Sequence, residues 1–248
     1  MPLTDLRSEW VVTPYGEVTV DIGRLGEQSI VFMSRHGKGH TVPPHCVNYR
    51  ANIWALKELG VRKILATAAV GSLSSRFKLG SIVLLDQFLD FTKNRPQTFY
   101  EGEGQGVLHV DMTEPYCRSV QASVKKAAEN LGLQSVLDSA TYVCTEGPRF
   151  ETPAEIRMYQ ILGGELVGMT SVPEVVLAKE LGMCYATIAM VTNEAAGIAD
   201  HPLTHAEVVE SMKITGKTVA LLIQETFRLL DTEQECRCPL GNAEVGKF

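Results

Sequence analysis

The sequence predicts an α/β fold built as one domain, with a mixed or mostly parallel sheet covered by helices on both faces. Three observations carry this expectation. Apolar runs of strand length alternate along the chain with segments of helical periodicity. No internal repeat, low-complexity linker or composition shift divides the 248 residues. At 45% hydrophobic and 21% charged residues, the composition is that of a globular protein with a substantial core.

Strand-like runs occupy 17–22, 29–34, 63–70, 81–90, 141–146 and 184–192. Helical patterns fall between and after them. "NYRANIWALKELG" (48–60) sets Ile53, Leu56 and Leu59 on one face and stops on Gly60. "ETPAEIRMYQILGG" (151–164) carries Pro153 in its first turn and a double-glycine stop. Thr152, with Glu155 three residues on, forms a capping box there. Segments 172–182 and 204–230 complete the helices, so the expected domain is 1–230, followed by a polar tail, 231–248.

The net charge of −6 argues against a nucleic-acid partner held by bulk electrostatics. No apolar run reaches membrane-span length and "MPLTDLRSEW" lacks a signal-peptide core, so no membrane partner and a cytoplasmic location are expected. The six cysteines, at 46, 117, 144, 184, 236 and 238, form no CxxC pair and have no histidine partner at zinc spacing, so no metal site is expected. Most read as reduced core thiols. Cys236 and Cys238 read as a pair of tail thiols or a small strained disulfide.

In folds of this class ligands sit beyond the carboxyl ends of strands. "SRHGKGH" (34–40) offers Arg35 and His36 with two glycines, which suits an anion or a solvated basic turn. "TAAVGS" (67–72), containing Ala69, Val70 and Gly71, allows either close approach of a ligand or tight packing; it is not a Walker loop. In "EGPRFETPAE" (146–155) the capping box leaves Phe150 and Glu151 without a structural task, and an aromatic beside a carboxylate suits a heterocycle. "GMTSVPE" (168–174) puts Met169 and Thr170 before a helix start, and "IAMVTNEAAG" (188–197) delivers Asn193, Glu194 and Ala195 at a strand end.

Taken in order, "SRHGKGH", "VNYRANIWALKELGV", "AVGSL", "EGPRFETPAE" and "GMTSVPEVVLAKELGMCYATIAMVTN" resemble the trimeric purine nucleoside phosphorylase and methylthioadenosine phosphorylase family, over nearly the whole chain from Thr13-Pro14-Tyr15-Gly16. The resemblance implies a central, partly barrel-like mixed sheet surrounded by helices, assembled as a homotrimer or a hexamer. It implies that phosphate attacks the anomeric carbon of a purine nucleoside, releasing base and sugar 1-phosphate, with phosphate as co-substrate and no cofactor. Arg35, His36, Ala69 and Thr170 would hold phosphate, Met169 would pack under the ribose, and Phe150 would face the purine, with Val70, Gly71, Glu194 and Ala195 completing the pocket. His109, in "VLHVDMTEPYC", matches the residue that caps a neighbouring subunit's site. His205, in "THAEVV", matches a histidine that meets the sugar 5′-hydroxyl.

Within this family the adenine-reading branch resembles "TDYD" where this chain has Thr192-Asn193-Glu194-Ala195. The 6-oxopurine branch pairs an asparagine there with a glutamate after the phenylalanine, here Glu151. The chemistry agrees, because a carboxylate accepts only and suits the N1–H of a 6-oxopurine, while an amide donates to O6 or N7. Asn193, Glu151 and His36 are thus the expected catalytic residues, and inosine and guanosine the expected substrates. Scaffold segments such as "YRANIWALKELGVR" look closer to the methylthioadenosine branch, so 5′-methylthioadenosine phosphorylase is the alternative activity, and methylthioinosine would satisfy both signals. The family also opens with a strand and a Gly-Gly-Ser/Thr-Gly loop around phosphate, which this chain lacks before Thr13. Either the reading frame is truncated or the protein manages without that loop; weakened turnover, or a trimer that binds nucleosides without cleaving them, is the corresponding alternative.

Overall fold

An antiparallel meander comes first: β1 (Thr4–Thr13), β2 (Gly16–Leu25) and β3 (Gln28–Phe32) pair in that order. The structure is a computed structural model that describes residues 3–102, 104–133, 136–199, 204–230, 236–240 and 245–246. The sequence pattern misses β1 because most of that strand is exposed on both faces, and its register with β2 is carried by the backbone. Val11, Val18, Val20 and Ile22 pack against Ala51 and Ala55 of helix α1 (Tyr49–Glu58). The meander therefore forms a separate sheet, whereas the alternation pattern put its strands in the central one.

The central sheet is a closed barrel of β4 (Lys63–Ser72), β8 (Leu166–Gly168), β7 (Val136–Thr145), β5 (Ile82–Phe91) and β9 (Cys184–Glu194), in that spatial order. It is mixed. β4 and β9 are parallel, as are β5 with β7 and β7 with β8, while β4/β8 and β5/β9 run antiparallel. Cys184 to Asn193 are all buried, which is why this strand reads as one continuous apolar run. Inside and above the barrel, Val70, Leu85, Tyr142, Leu166 and Val191 join Ile53 of α1 and Val175 and Leu177 of α4 (Ser171–Glu180) in the main core. On the opposite side, α2 (Arg118–Asn130) and α5 (His205–Leu229) bury Val124, Ala127, Val219 and Leu222 against Ile82, Leu84, Ile188 and Met190. Helix α2 and the short strands β6 (Val107–Leu108), β8 and β10 (Val245–Gly246) are additions to the elements the sequence pattern predicts.

Helix α3 (Pro153–Ile161) starts as its sequence predicts. Thr152 Oγ1 accepts from the Glu155 N–H, and the Glu155 carboxylate accepts from the Thr152 N–H. No helix among the described residues is long and apolar enough to cross a membrane. Replacing the cap, Thr152→Ala, should lower stability by about 1 kcal/mol in urea unfolding, since it removes one of two reciprocal bonds at an exposed helix start.

Candidate active site

Opposed strands meet at one point, and the candidate residues meet there with them. On β4 and β9, Gly71 lies opposite Asn193, and on β4 and β8 it lies opposite Val167. On β7 and β8, Cys144 lies opposite Gly168. The barrel thus brings Gly71, Asn193, Gly168 and the end of β7 to one place, although β7 and β8 run against β4 and β9. The site sits where oppositely directed strands cross, and not beyond a common row of carboxyl ends as the sequence predicts.

Asn193 is aimed by a β-bulge. Val70 pairs with Val191 and Gly71 with Asn193, so Thr192 is an extra residue on β9. The Thr192 hydroxyl donates toward Asn193 Oδ1 at 2.8 Å and Val70 O at 3.3 Å, while Asn193 Nδ2 donates to Glu194 O at 2.8 Å. That network fixes the amide orientation and leaves one Nδ2 hydrogen for a ligand. Gly71 is needed beside it, because a Cβ there would stand 3.0 Å from Asn193 Nδ2 and 3.2 Å from Val167 Cγ1. Glu194 is exposed; Ala195 is buried beneath the loop with Val167, Leu73 and Ile156.

Glu151 lies against the end of β7, where buried Thr145 donates to Glu151 Oε1 at 2.6 Å and approaches Gly168 O at 3.4 Å. Burial pushes the Glu151 carboxyl above its usual range, and the Thr145 hydroxyl partly opposes that shift. Phe150, 37% exposed, stands at the rim. Met169 packs on Gly147, where a Cβ would sit 2.6 Å from Met169 Sδ. The chain between Asn193 and α5 touches the same loop, with Gly197 seated on Pro153.

A buried arginine that the sequence does not single out holds this corner together. Arg95 Nη1 donates to Met169 O and Val172 O, both at 2.7 Å, and to the Tyr49 hydroxyl at 3.1 Å. Its Nη2 donates to Glu146 O at 2.7 Å and Thr145 O at 3.2 Å, and Nε lies 3.4 Å from the Glu146 carboxylate. One side chain therefore ties the end of β7 to the start of α4. In the sequence Arg95 stands in a polar loop and looks like a solvated charge.

Arg35 is likewise embedded. Nε and Nη2 make a bidentate pair with Glu174 of α4 at 2.6 and 2.7 Å, and Nη1 donates to Thr67 O at 3.0 Å. Tyr185 adds a bond to Glu174 at 2.7 Å. Of the five guanidinium hydrogens, one on each Nη is left for an anion. Thr67 precedes Gly71 by four residues on β4, so Arg35 stands about 13 Å along the strand from Asn193. Half-buried Ala69 lies between them, and buried Thr170 heads α4 without using its side chain as a cap. His36 Nδ1 donates to Val42 O at 2.8 Å and its ring stacks on His40 at 4.4 Å. Burial holds His36 below its ordinary range, so the neutral ring keeps Nε2 as an acceptor. A cavity of about 760 Å³ opens beside Arg35, Thr67 and Glu174, between β3, α1, β4 and α5. Glu151, Asn193, Phe150 and Met169 do not line it, so it is separate from the Asn193 corner. His109 is exposed just after β6. α5 begins at His205, whose side chain lies outside the described residues.

The family model described as the phosphorylase superfamily matches residues 4–228. A 6-oxopurine nucleoside phosphorylase from Pyrococcus furiosus is 54% identical over 242 residues, covering 96% of this chain and 91% of the relative. A probable S-methyl-5′-thioinosine phosphorylase from Methanopyrus kandleri is 50% identical over 242 residues, covering 96% and 93%. Among solved structures, the methylthioadenosine phosphorylase from Schistosoma mansoni in complex with adenine superposes with a TM-score of 0.91 at 35% identity, covering 97% of this chain and 92% of that one.

Truncating Arg95 to methionine should cost about 3–5 kcal/mol of stability, because it strands a cluster of buried carbonyls and the Glu146 carboxylate. Urea unfolding of Arg95→Met reads this directly; a loss under 1 kcal/mol (a typical surface substitution costs about 0.5) would contradict it.

Proposed function

The chain belongs to the phosphorylase superfamily, and we propose that it cleaves 6-oxopurine nucleosides with inorganic phosphate, releasing free base and sugar 1-phosphate. The observation that carries the reading is a half-buried carboxylate, Glu151, held by Thr145 at the end of β7, near the corner of the barrel where the β9 bulge orients the Asn193 amide. Glu151 accepts from N1–H. Asn193 Nδ2 donates to O6 or N7, where negative charge grows as the glycosidic bond breaks. Adenine presents a lone pair at N1, and facing Glu151 with it would cost roughly 1–3 kcal/mol.

Phosphate is assigned to the other end, on the two free Arg35 hydrogens, the Ala69 N–H and the Thr170 hydroxyl. His36 Nε2 accepts from a phosphate hydroxyl. An anion under the sugar stabilises the oxocarbenium-like transition state. Met169 supports the ribose and Phe150 covers the purine edge, with Val70 and Gly71 forming the floor. The reaction as proposed draws on no metal or organic cofactor. It takes place in a cytoplasmic homotrimer, in which His109 reaches a neighbouring copy's site, and it serves purine salvage. His205 is assigned to the 5′ end of the sugar. A second reading, cleavage of methylthioinosine, is favoured by the Methanopyrus kandleri relative and keeps the same base contacts.

An assay of inosine, guanosine and methylthioadenosine, each with and without phosphate, separates the readings. Phosphate-dependent hypoxanthine release from inosine is expected, with Glu151→Gln lowering kcat/KM about ten- to a hundredfold, the worth of one hydrogen bond to a charged group. Greater adenine release from methylthioadenosine, or release indifferent to phosphate, would overturn the proposal. The acid limb of kcat/KM should also start above the ordinary carboxylate range. Only the ionised Glu151 is a pure, charged acceptor for N1–H, and its raised pKa means that the carboxylate is lost earlier as pH falls. In Glu151→Gln that limb should disappear.

A further inference from the structure

We propose that Cys117, Cys184, Cys236 and Cys238 form a structural zinc site that fastens the C-terminal segment to the barrel. Spacing in the sequence hides the site, since the four residues come from three separate stretches. The fold gathers them. Their Sγ atoms all lie within 4.8 Å of one another, and Cys184 and Cys236 approach to 3.2 Å. Four thiolates bonded to zinc at about 2.3 Å stand about 3.8 Å apart at the corners of a tetrahedron, within this range.

Three further features favour a metal over four idle thiols. Cys117, Cys184 and Cys238 are buried and Cys236 is half-buried, among Leu65, Val120, Ala186, Phe227 and Leu230, which keep water away. Cys117 is the N-cap of α2, where the open backbone N–H groups and the helix dipole favour a thiolate. Among the described residues the set is all sulfur, four thiols and no oxygen or nitrogen ligand, which is the donor set of a closed structural zinc site. Binding releases each thiol proton to solvent and leaves one Zn²⁺ bonded to four thiolates. Beyond the site the chain returns as β10, pairing Val245 with Leu108 and Gly246 with Val107, immediately before His109. The metal thus anchors a tail that braces the segment carrying that residue. Cys184 opens β9 and Asn193 lies nine residues on, about 30 Å away, so the role is structural.

Elemental analysis of the full chain, purified under reducing conditions and exchanged into metal-free buffer, should find about one zinc per chain. Cys236→Ser, at the half-buried ligand, should retain less than about a tenth of that. It should also speed amide exchange at Cys238, Leu240, Val245 and Gly246. Cobalt loaded in place of zinc should give the intense visible bands of a tetrahedral thiolate site, absent in Cys236→Ser. Reduced protein that takes up neither zinc nor cobalt would overturn the proposal. So would a chain mass lowered by two hydrogens per disulfide, together with no metal uptake after reduction.

Discussion

The end of β7 and the start of α4, which carry the Glu151 side of the candidate site, depend on a buried positive charge. Arg95 is almost wholly enclosed, and removing a guanidinium from water is costly unless its donors are satisfied. Here the partners are main-chain carbonyls at Thr145, Glu146, Met169 and Val172, with Glu146 supplying the nearest negative charge. Carbonyls at the ends of strands and before helices have no ladder partner, so one planar fork serves two chain ends that would otherwise be orphaned. Rigidity follows, because Thr145 carries Glu151 and Met169 heads the approach to Thr170. An uncharged or shorter side chain could not span both.

The second constraint is electrostatic balance at Arg35. With both Glu174 oxygens bound along its Nε/Nη2 edge, Arg35 adds little net positive charge to its surroundings. Its work there is directional, offering fixed donors from a guanidinium that cannot rotate away. In the proposed assignment, phosphate binding would then rely on neutral donors, the Ala69 N–H and the Thr170 hydroxyl. Tyr185, buried beneath the pair, keeps Glu174 in place and marks this as a core element as much as a ligand contact.

Much of the architecture was legible because burial leaves a periodic trace. β9 announces itself as an unbroken apolar run, and α3 by a cap whose two bonds are both present. What escaped was carried by the backbone or by distance in the chain. β1 is a polar ribbon ordered by its register with β2, and the three residues of β8 are too short for any pattern. The segments holding Glu151 and Asn193 could be picked out, since each follows a buried strand and carries polar groups without a structural task. The Thr192 bulge that orients the amide leaves no mark in composition. Arg95 and the cysteine cluster escaped for one shared reason: their partners lie far away in sequence, and neither a charge in a polar loop nor scattered thiols reveal what surrounds them.

The central claim is that one acceptor and one donor, Glu151 and Asn193, read the edge of an oxo-substituted purine. Calorimetric titration of the protein with hypoxanthine and with adenine, both in saturating phosphate, tests it without any turnover. Hypoxanthine should bind tighter by roughly five- to 150-fold, the equivalent of about 1–3 kcal/mol. Equal affinities, or adenine the tighter ligand, would contradict it.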